Sequence, residues 1–369
     1  MNTLKRSAII LAVGTFLILL TSLFGGKDIS SRSIVLGIGL DYDPETEIYS
    51  VTAEVVSPEE SQDQGTGSFS KLIEGNGPTP EEAVYDIFVR LGRVPSLGQC
   101  LVVLLGDGLY NNVEVQSAVT FFSYLNSFKD SSTVCCVKGS ARQMMQNKLP
   151  VGKSFSFSLV ELLGSSQRAG VISQSVSGFV RSQAGYGKCG YMTFVDFEEE
   201  KVTQQQKEEA FNEGSLVCNT IAVFKDFKYV DRLTVQQTKG FSLVQKGYIG
   251  QLYTVTKDDQ PFSLYVSSKN VNLHYDRKAI ADINISLEVL RVGDGDPENV
   301  LYLRRPKTIT EEQLKDATEQ IYDDVAAFFE VQQQLEVDIT GLVKQRDNLK
   351  EGDAEPLEDV DIILKCDQH

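Results

Sequence analysis

Ile34-Val35-Leu36-Gly37-Ile38-Gly39-Leu40, a turn over Asp41–Glu47, and Ile48-Tyr49-Ser50-Val51-Thr52-Ala53-Glu54-Val55-Val56 decide the fold of this chain. In the second run Tyr49, Val51, Ala53 and Val55 alternate with Ser50, Thr52 and Glu54, the period of a strand with one face on a core and the other in water. The two runs therefore predict a hairpin with one wet face. Gly37 and Gly39 fit strand twist or close packing by a neighbour. As a dinucleotide fingerprint they lack a third glycine, because Tyr42 occupies its place.

Upstream, Lys5 and Arg6 precede an apolar run from Ser7 to Phe24. At ~18 residues the run suits a marginal membrane-spanning helix and exceeds the ~7 to 15 of a signal-peptide core. The basic flank places the N-terminus in the cytoplasm and everything beyond Phe24 on the far side. Residues 1–26 are expected to be a signal or anchor segment that meets the membrane through residues 7–24. The alternative is cleavage near Ser22, Gly25 or Gly26, which releases a soluble protein. Leu20-Thr21-Ser22-Leu23 has the form of a lipoprotein cleavage box with Leu23 in the place of the cysteine, so no lipidation is expected.

A chain of 369 residues calls for two or three domains. Its 41% hydrophobic and 23% charged residues are ordinary globular usage. A net charge of −16 argues against nucleic acid and against electrostatic attachment to anionic lipid. The six cysteines, Cys100, Cys135, Cys136, Cys189, Cys218 and Cys366, form no C-x-x-C pair. Cys135 and Cys136 alternate between the faces of an apolar strand, and a Cys189–Cys218 bridge stays open.

Downstream, Phe69–Ile73 resumes the sheet, and Thr79-Pro80-Glu81-Glu82 opens a helix with Thr79 as cap and Pro80 in the first turn. Its inward stripe is Ala83, Val84, Ile87, Phe88 and Leu91. Cys100–Leu105 reads as a strand buried on both faces. Val113–Phe128 reads as a helix, Ser132–Val137 as a strand and Ser140–Met145 as a short helix, with helix fragments and loops over 152–190. The polar stretch 201–214 is the expected linker between an N-terminal α+β unit, 27–200, and a C-terminal one, 215–369. The second unit is expected to begin with a hairpin, Cys218–Phe224 and Tyr229–Leu233, and to continue with strands at 250–256, 262–272 and 280–291. A capping box at Thr310-Glu311-Glu312-Gln313 opens a long helix whose inward residues are Leu314, Ala317, Ile321, Val325, Phe328 and Leu335. Val360–Leu364 closes the chain as a strand. The fold class is α+β: a multi-domain ectodomain of mixed sheets packed with helices, after one N-terminal helix.

Chemistry is sparse. The only two histidines are His274 and His369, which leaves no Ser/His/Asp or Cys/His set. Gly152-Lys153-Ser154 lacks the first glycine of a phosphate loop, and Asp294-Gly295-Asp296 places Arg305 where a calcium loop needs a carboxylate. Ser68-Phe69-Ser70-Lys71 matches the S-x-x-K of penicillin-recognising enzymes without its companion motifs; Thr238-Lys239-Gly240 has the wrong order. No catalytic, cofactor-binding or metal residue is assigned.

Taken in order, several of these pieces resemble the Ger(x)C family, the C subunits of nutrient germinant receptors of endospore-forming bacteria. They are Leu20-Thr21-Ser22, Ile34 to Asp41, Tyr49 to Val56, Thr79-Pro80-Glu81-Glu82-Ala83, Gly98 to Gly106 and Val137-Lys138-Gly139-Ser140-Ala141. In the second half, Ile221-Ala222-Val223-Phe224-Lys225-Asp226 and Thr238-Lys239-Gly240 join them. The resemblance implies a non-enzymatic receptor subunit in spore germination, without cofactor. It implies an ectodomain on the outer face of the spore inner membrane, beside the A and B membrane subunits. The chain departs from the pattern at Leu23, at Phe24-Gly25 in place of Trp-Asp or Trp-Asn, at Gln99 in place of histidine, and at Asp338-Ile339-Thr340-Gly341 in place of Asp-Pro-x-Gly. The rival readings are an exported binding protein that closes two domains on a small ligand, and a cell-wall hydrolase using Ser68 and Lys71.

Overall fold

The structure, a computed structural model, describes residues 14–15, 32–56, 70–92, 94–125, 128–147, 154–166, 172–199, 214–247, 250–257, 260–276, 278–292, 309–346 and 359–368. Strand β1 (Arg32–Asp43) and strand β2 (Ile48–Val56) form the expected antiparallel hairpin, in a register that sets Leu40 opposite Val51. Its turn is closed by Asp43, whose carboxylate accepts from Glu45 N at 2.9 Å and Thr46 Oγ1 at 2.8 Å. Strand β3 (Ser70–Gly77) adds to β2 and leads into helix α1 (Pro80–Leu91). Thr79 Oγ1 accepts from Glu82 N at 3.2 Å, Pro80 fills a position that needs no amide donor, and Gly92 ends the helix in the left-handed region.

The chain continues through β4 (Val94–Ser96), β5 (Val102–Leu105), α2 (Asp107–Tyr110), α3 (Gln116–Tyr124), β6 (Thr133–Val137), α4 (Ala141–Gln146) and α5 (Phe155–Ser166). Then come β7 (Gln174–Ser175), α6 (Val176–Ala184), β8 (Cys189–Glu199), β9 (Gly214–Lys225) and β10 (Lys228–Arg232). These ten strands make one sheet in the order β10-β9-β8-β6-β5-β1-β2-β3, with β4 on β1 and β7 on β6. Its centre, β1, β5, β6 and β8, is parallel, and both flanks are antiparallel.

Both faces of that centre are covered, as a parallel sheet requires. Val103, Leu105 and Cys136 join a core with α1, α3 and α6, whereas Val102, Leu104 and Cys135 join a second core with α4 and α5. The faces expected for Cys135 and Cys136 and for the β5 run are the observed ones. The wet face expected for β2 is instead buried: Thr52 is 1% and Glu54 2% exposed. Glu54 accepts from Phe155 N at 3.0 Å, Ser156 N at 2.9 Å and Ser70 Oγ at 2.8 Å, so the carboxylate meets the orphan amides that open α5. The glycines of β1 make room for this layer. A Cβ on Gly39 would lie 3.0 Å from Ala141 Cβ and 3.0 Å from Met145 Sδ.

Two regular helices, α5 and α6, occupy the stretch expected to hold fragments and loops, and β8 crosses a stretch with no expected element. The β9–β10 hairpin has its expected turn, with Asp226 and Phe227 at φ 49° and 61°. It completes the first sheet rather than starting a second, because β9 pairs with β8 from Cys189↔Lys225 to Glu199↔Gly214.

After α7 (Val235–Val244), which no expectation covered, a second sheet forms from β11 (Leu252–Lys257), β12 (Gln260–Asp276), β13 (Lys278–Val292) and β14 (Val360–Gln368), in that order. Helix α8 (Glu311–Gln334) opens with the expected capping box and buries Ala317, Ile321, Val325 and Phe328. It carries the chain to α9 (Leu342–Arg346) and on to β14, which runs parallel to β13. The Asp338–Gly341 corner holds without a proline. Asp338 accepts from Thr340 N at 3.1 Å, Gly341 N at 2.8 Å and Val343 N at 2.8 Å, and Gly341 takes φ 78°.

Strand β9 serves both halves. Ala222 and Phe224 pack in the first core, while Ile221 and Val223 pack with Phe241 of α7, Phe328 of α8 and Tyr253 of β11 in the core of the second sheet. Of the apolar run 7–24 only Gly14 and Thr15 are described, and among the described residues no helix is long and apolar enough to cross a membrane. The expected linker lies outside the described residues over 201–213.

Candidate functional site

The Ser68–Lys71 spacing is not realised as a described pair: Ser68 lies outside the described residues, and Lys71 is exposed on β3. Gly152, Lys153 and Asp294–Asp296 also lie outside them. Among the described residues no group of three or more His, Cys, Asp or Glu side chains is placed to hold a metal ion. His274 sits on β12 with Nδ1 3.5 Å from the Asn272 amide. The six thiols are free, Cys189 and Cys218 included, and burial pushes Cys100 and Cys218 up to about 12.

In α/β sheets ligands commonly bind at the carboxyl ends of parallel strands. Here that end is filled by the chain itself. Asp41, at the end of β1, accepts from Ser140 Oγ at 2.8 Å, Ala141 N at 2.8 Å and Arg142 N at 3.0 Å, capping α4 across a hundred residues of sequence. Asp107 beyond β5 accepts from Gly139 N at 3.0 Å. Burial raises the Asp41 carboxyl above its ordinary value against the opposing pull of these bonds. The residues Asp41 and Gly139-Ser140-Ala141, far apart in sequence, thus form one structural joint.

A second polar cluster lies under α7 and α8. The Tyr253 hydroxyl is 2.9 Å from Asp324 Oδ2 and 3.0 Å from Gln251 Oε1, and Gln251 Nε2 donates to Lys239 O at 2.9 Å. Thr238-Lys239-Gly240 lies within α7, where Gly240 allows the two helices to cross. A Cβ there would fall 2.6 Å from the Asp324 carbonyl carbon and 2.9 Å from Phe328 Cβ. Lys269 of β12 donates to the carbonyls of Ser242 and Leu243, the latter at 3.1 Å, and so caps the end of α7. Both clusters hold elements together.

An open groove lies between α1 and α3, with a volume of about 440 Å³. Glu81 of α1 and Glu114 flank one end, and Ser117, Thr120, Phe121 and Tyr124 line its length along α3. Lys228 Nζ meets Glu114 Oε1 at 3.0 Å. Tyr49 reaches Ser117 from beneath, with Tyr42 4.8 Å away ring to ring, and burial raises its phenol above the ordinary value. Tyr124 is 81% exposed, and on α1 Tyr85 is 67% and Val89 64% exposed. No expectation singled these out. The signal was present on α1, where Tyr85 and Val89 are large, one turn apart and off the inward stripe.

The chain matches the model described as spore germination protein N-terminal domain over residues 25–196, and the model described as spore germination B3/GerAC like, C-terminal, over residues 219–355. A crystal structure of the GerBC protein is similar at 17% identity and a TM-score of 0.49, covering 89% of this chain and 97% of that one. No protein of curated function matches. Matched in sequence along both halves, from the β1–β2 hairpin to the α8–α9 corner, the chain belongs to the Ger(x)C family of spore germination proteins.

Proposed function

We propose that this protein is the non-enzymatic C subunit of a nutrient germinant receptor, working beside the A and B membrane subunits at the outer face of the spore inner membrane. The observation that carries the reading is the pair of germination-family matches over 25–196 and 219–355. The open surface fits it. The strand ends where an α/β enzyme would bind substrate are bridged by Asp41 and Asp107, and an open feature of the described surface is a helix-lined groove with an exposed tyrosine, suited to protein contact.

Attachment would come from residues 7–24. Leu23 offers no thiol for acylation, whereas a helix of that length spans ~27 Å against a hydrocarbon core of ~30 Å. Intact-mass measurement of the membrane-extracted protein is expected to return an uncleaved, unacylated chain. A mature N-terminus at or beyond Leu23 would leave the subunit held by its partners alone.

The function is tested by deleting the gene and challenging spores with single nutrients. The deletion is expected to abolish the response to at least one nutrient and to spare germination by a non-nutrient trigger, and affinity-tagged protein is expected to co-purify with the A and B subunits. A full nutrient response without this chain would refute the proposal.

A further inference from the structure

We infer that the α1–α3 groove is the docking site for a basic, amphipathic helical segment of a partner protein. The inference rests on the receptor-subunit reading for where the partner resides, and on the surface itself for its chemistry.

Each helix has spent its inward face. Ala83, Val84 and Ile87 of α1 and Ala118, Val119 and Phe122 of α3 are buried in the core. Outside them Tyr85 and Val89 are exposed on α1 and Tyr124 on α3, while Phe121, half-buried against Phe122, lines the groove with Tyr124 among Gln116, Ser117 and Thr120. At ~1.5 Å per residue the two helices run ~18 and ~14 Å, the span of a two- to three-turn helical ligand laid along them. Tyrosine is among the residues that most often anchor such contacts.

The charge selects the occupant. Glu81 and Glu82 have no cationic partner among the described ion pairs, and Glu114 stands at the same end with Lys228 its only cation there. Glu81 lies in the first turn of α1 and Glu114 stands one residue before Val115, the N-cap of α3, so the two carboxylates gather at neighbouring helix N-termini. A second copy of a chain of net charge −16 brings like charge to this end, and an anionic membrane does the same. A segment with leucine-like residues on one face and lysine or arginine beside them satisfies both the exposed apolar side chains and the carboxylates.

The test uses the detergent-solubilised full chain and a fluorescein-labelled helix of about 14 residues with leucine on one face and lysine on the other, followed by anisotropy. Binding is expected to weaken at least tenfold, about 1.4 kcal/mol, in Tyr124→Ser and in the double variant Tyr85→Ser, Val89→Ser. It is expected to weaken in Glu81→Lys and with added salt, and to be unchanged in Tyr322→Ser on α8. The same helix with glutamate for lysine is expected not to bind. Equal binding by all variants, or by the glutamate helix, overturns the inference. So does self-association lost in Tyr124→Ser, which assigns the groove to a second copy, or anionic-vesicle binding lost in that variant, which assigns it to lipid. Gene deletion judges the receptor reading separately. If deletion leaves germination intact while the lysine helix still binds through Tyr124, the function fails and the surface stands.

Discussion

Asp41 and Lys269 show how single side chains secure distant elements. Asp41 follows the first strand of the sequence pattern, yet its three acceptor contacts are with residues 140–142. Asp41→Ala removes the acceptor that caps the start of α4 and is expected to lower stability by about 0.5 to 2 kcal/mol, read as a shift in urea midpoint at constant slope. Lys269 is held among carbonyl groups without a carboxylate contact among the described residues, and burial brings its amine down to about 7. A base whose folded-state value is lowered is bound to fewer protons in the folded than in the unfolded chain above that value. Stability should therefore rise with pH from about 7 until buried thiols, ordinarily near 9.0 and raised by burial, begin to act in the opposite sense. Lys269→Met is expected to flatten the rise, and urea midpoints between pH 7 and 8.5 decide it. An equal slope in both proteins would show that the rise has another source.

At the scale of elements, caps and crossings carry the local choices. The cap of α1 was legible in Thr79-Pro80-Glu81-Glu82, and Thr79→Ala is expected to cost roughly 0.5 to 2 kcal/mol; an unchanged thermal midpoint with α1 intact would refute the cap. The α7–α8 crossing was not legible, since Gly240 sits inside a helix where glycine is ordinarily a liability. The position is glycine because the Asp324 backbone lies against it. Gly240→Ala should thus destabilise by about 1 to 3 kcal/mol through overpacking, against the gain that helix propensity alone would give. The sign of the change in melting temperature separates the two effects.

For the whole molecule, β9 is the strand shared by two cores. A fragment of residues 27–200 ends before it, exposes the edge of β8 and removes Ala222 and Phe224 from the first core. We expect such a fragment to lack a cooperative thermal transition; a sharp transition with native-like hydrogen exchange would show that the first unit folds without β9. The family matches fall on either side of residues 197–218, close to the polar stretch that marks a boundary in the sequence. The sheet runs across that stretch, so we propose that the two halves are distinct in sequence and coupled in folding through β9 and β10.

The sequence by itself determined the elements whose signals are local. The β1–β2 hairpin, the doubly buried β5, the caps at Thr79 and Thr310 and the alternation of β13 depend on periodicity and on residues within a few positions of one another. Tertiary structure alone decided what lies against each surface. Thr52 and Glu54 carry the polar pattern of a wet face, but α4 and α5 cover it, and a carboxylate there is stabilised by helix-end amides a hundred residues away. Strand β8 hides its character because it buries Thr193, whose hydroxyl donates to Ile172 O at 2.6 Å, among apolar neighbours. The groove is likewise non-local: Glu81 and Tyr124 line one surface only when α1 and α3 pack side by side. Periodicity records that a face is covered or bare; contact across a sheet or between helices depends on chain pairing that no short window contains.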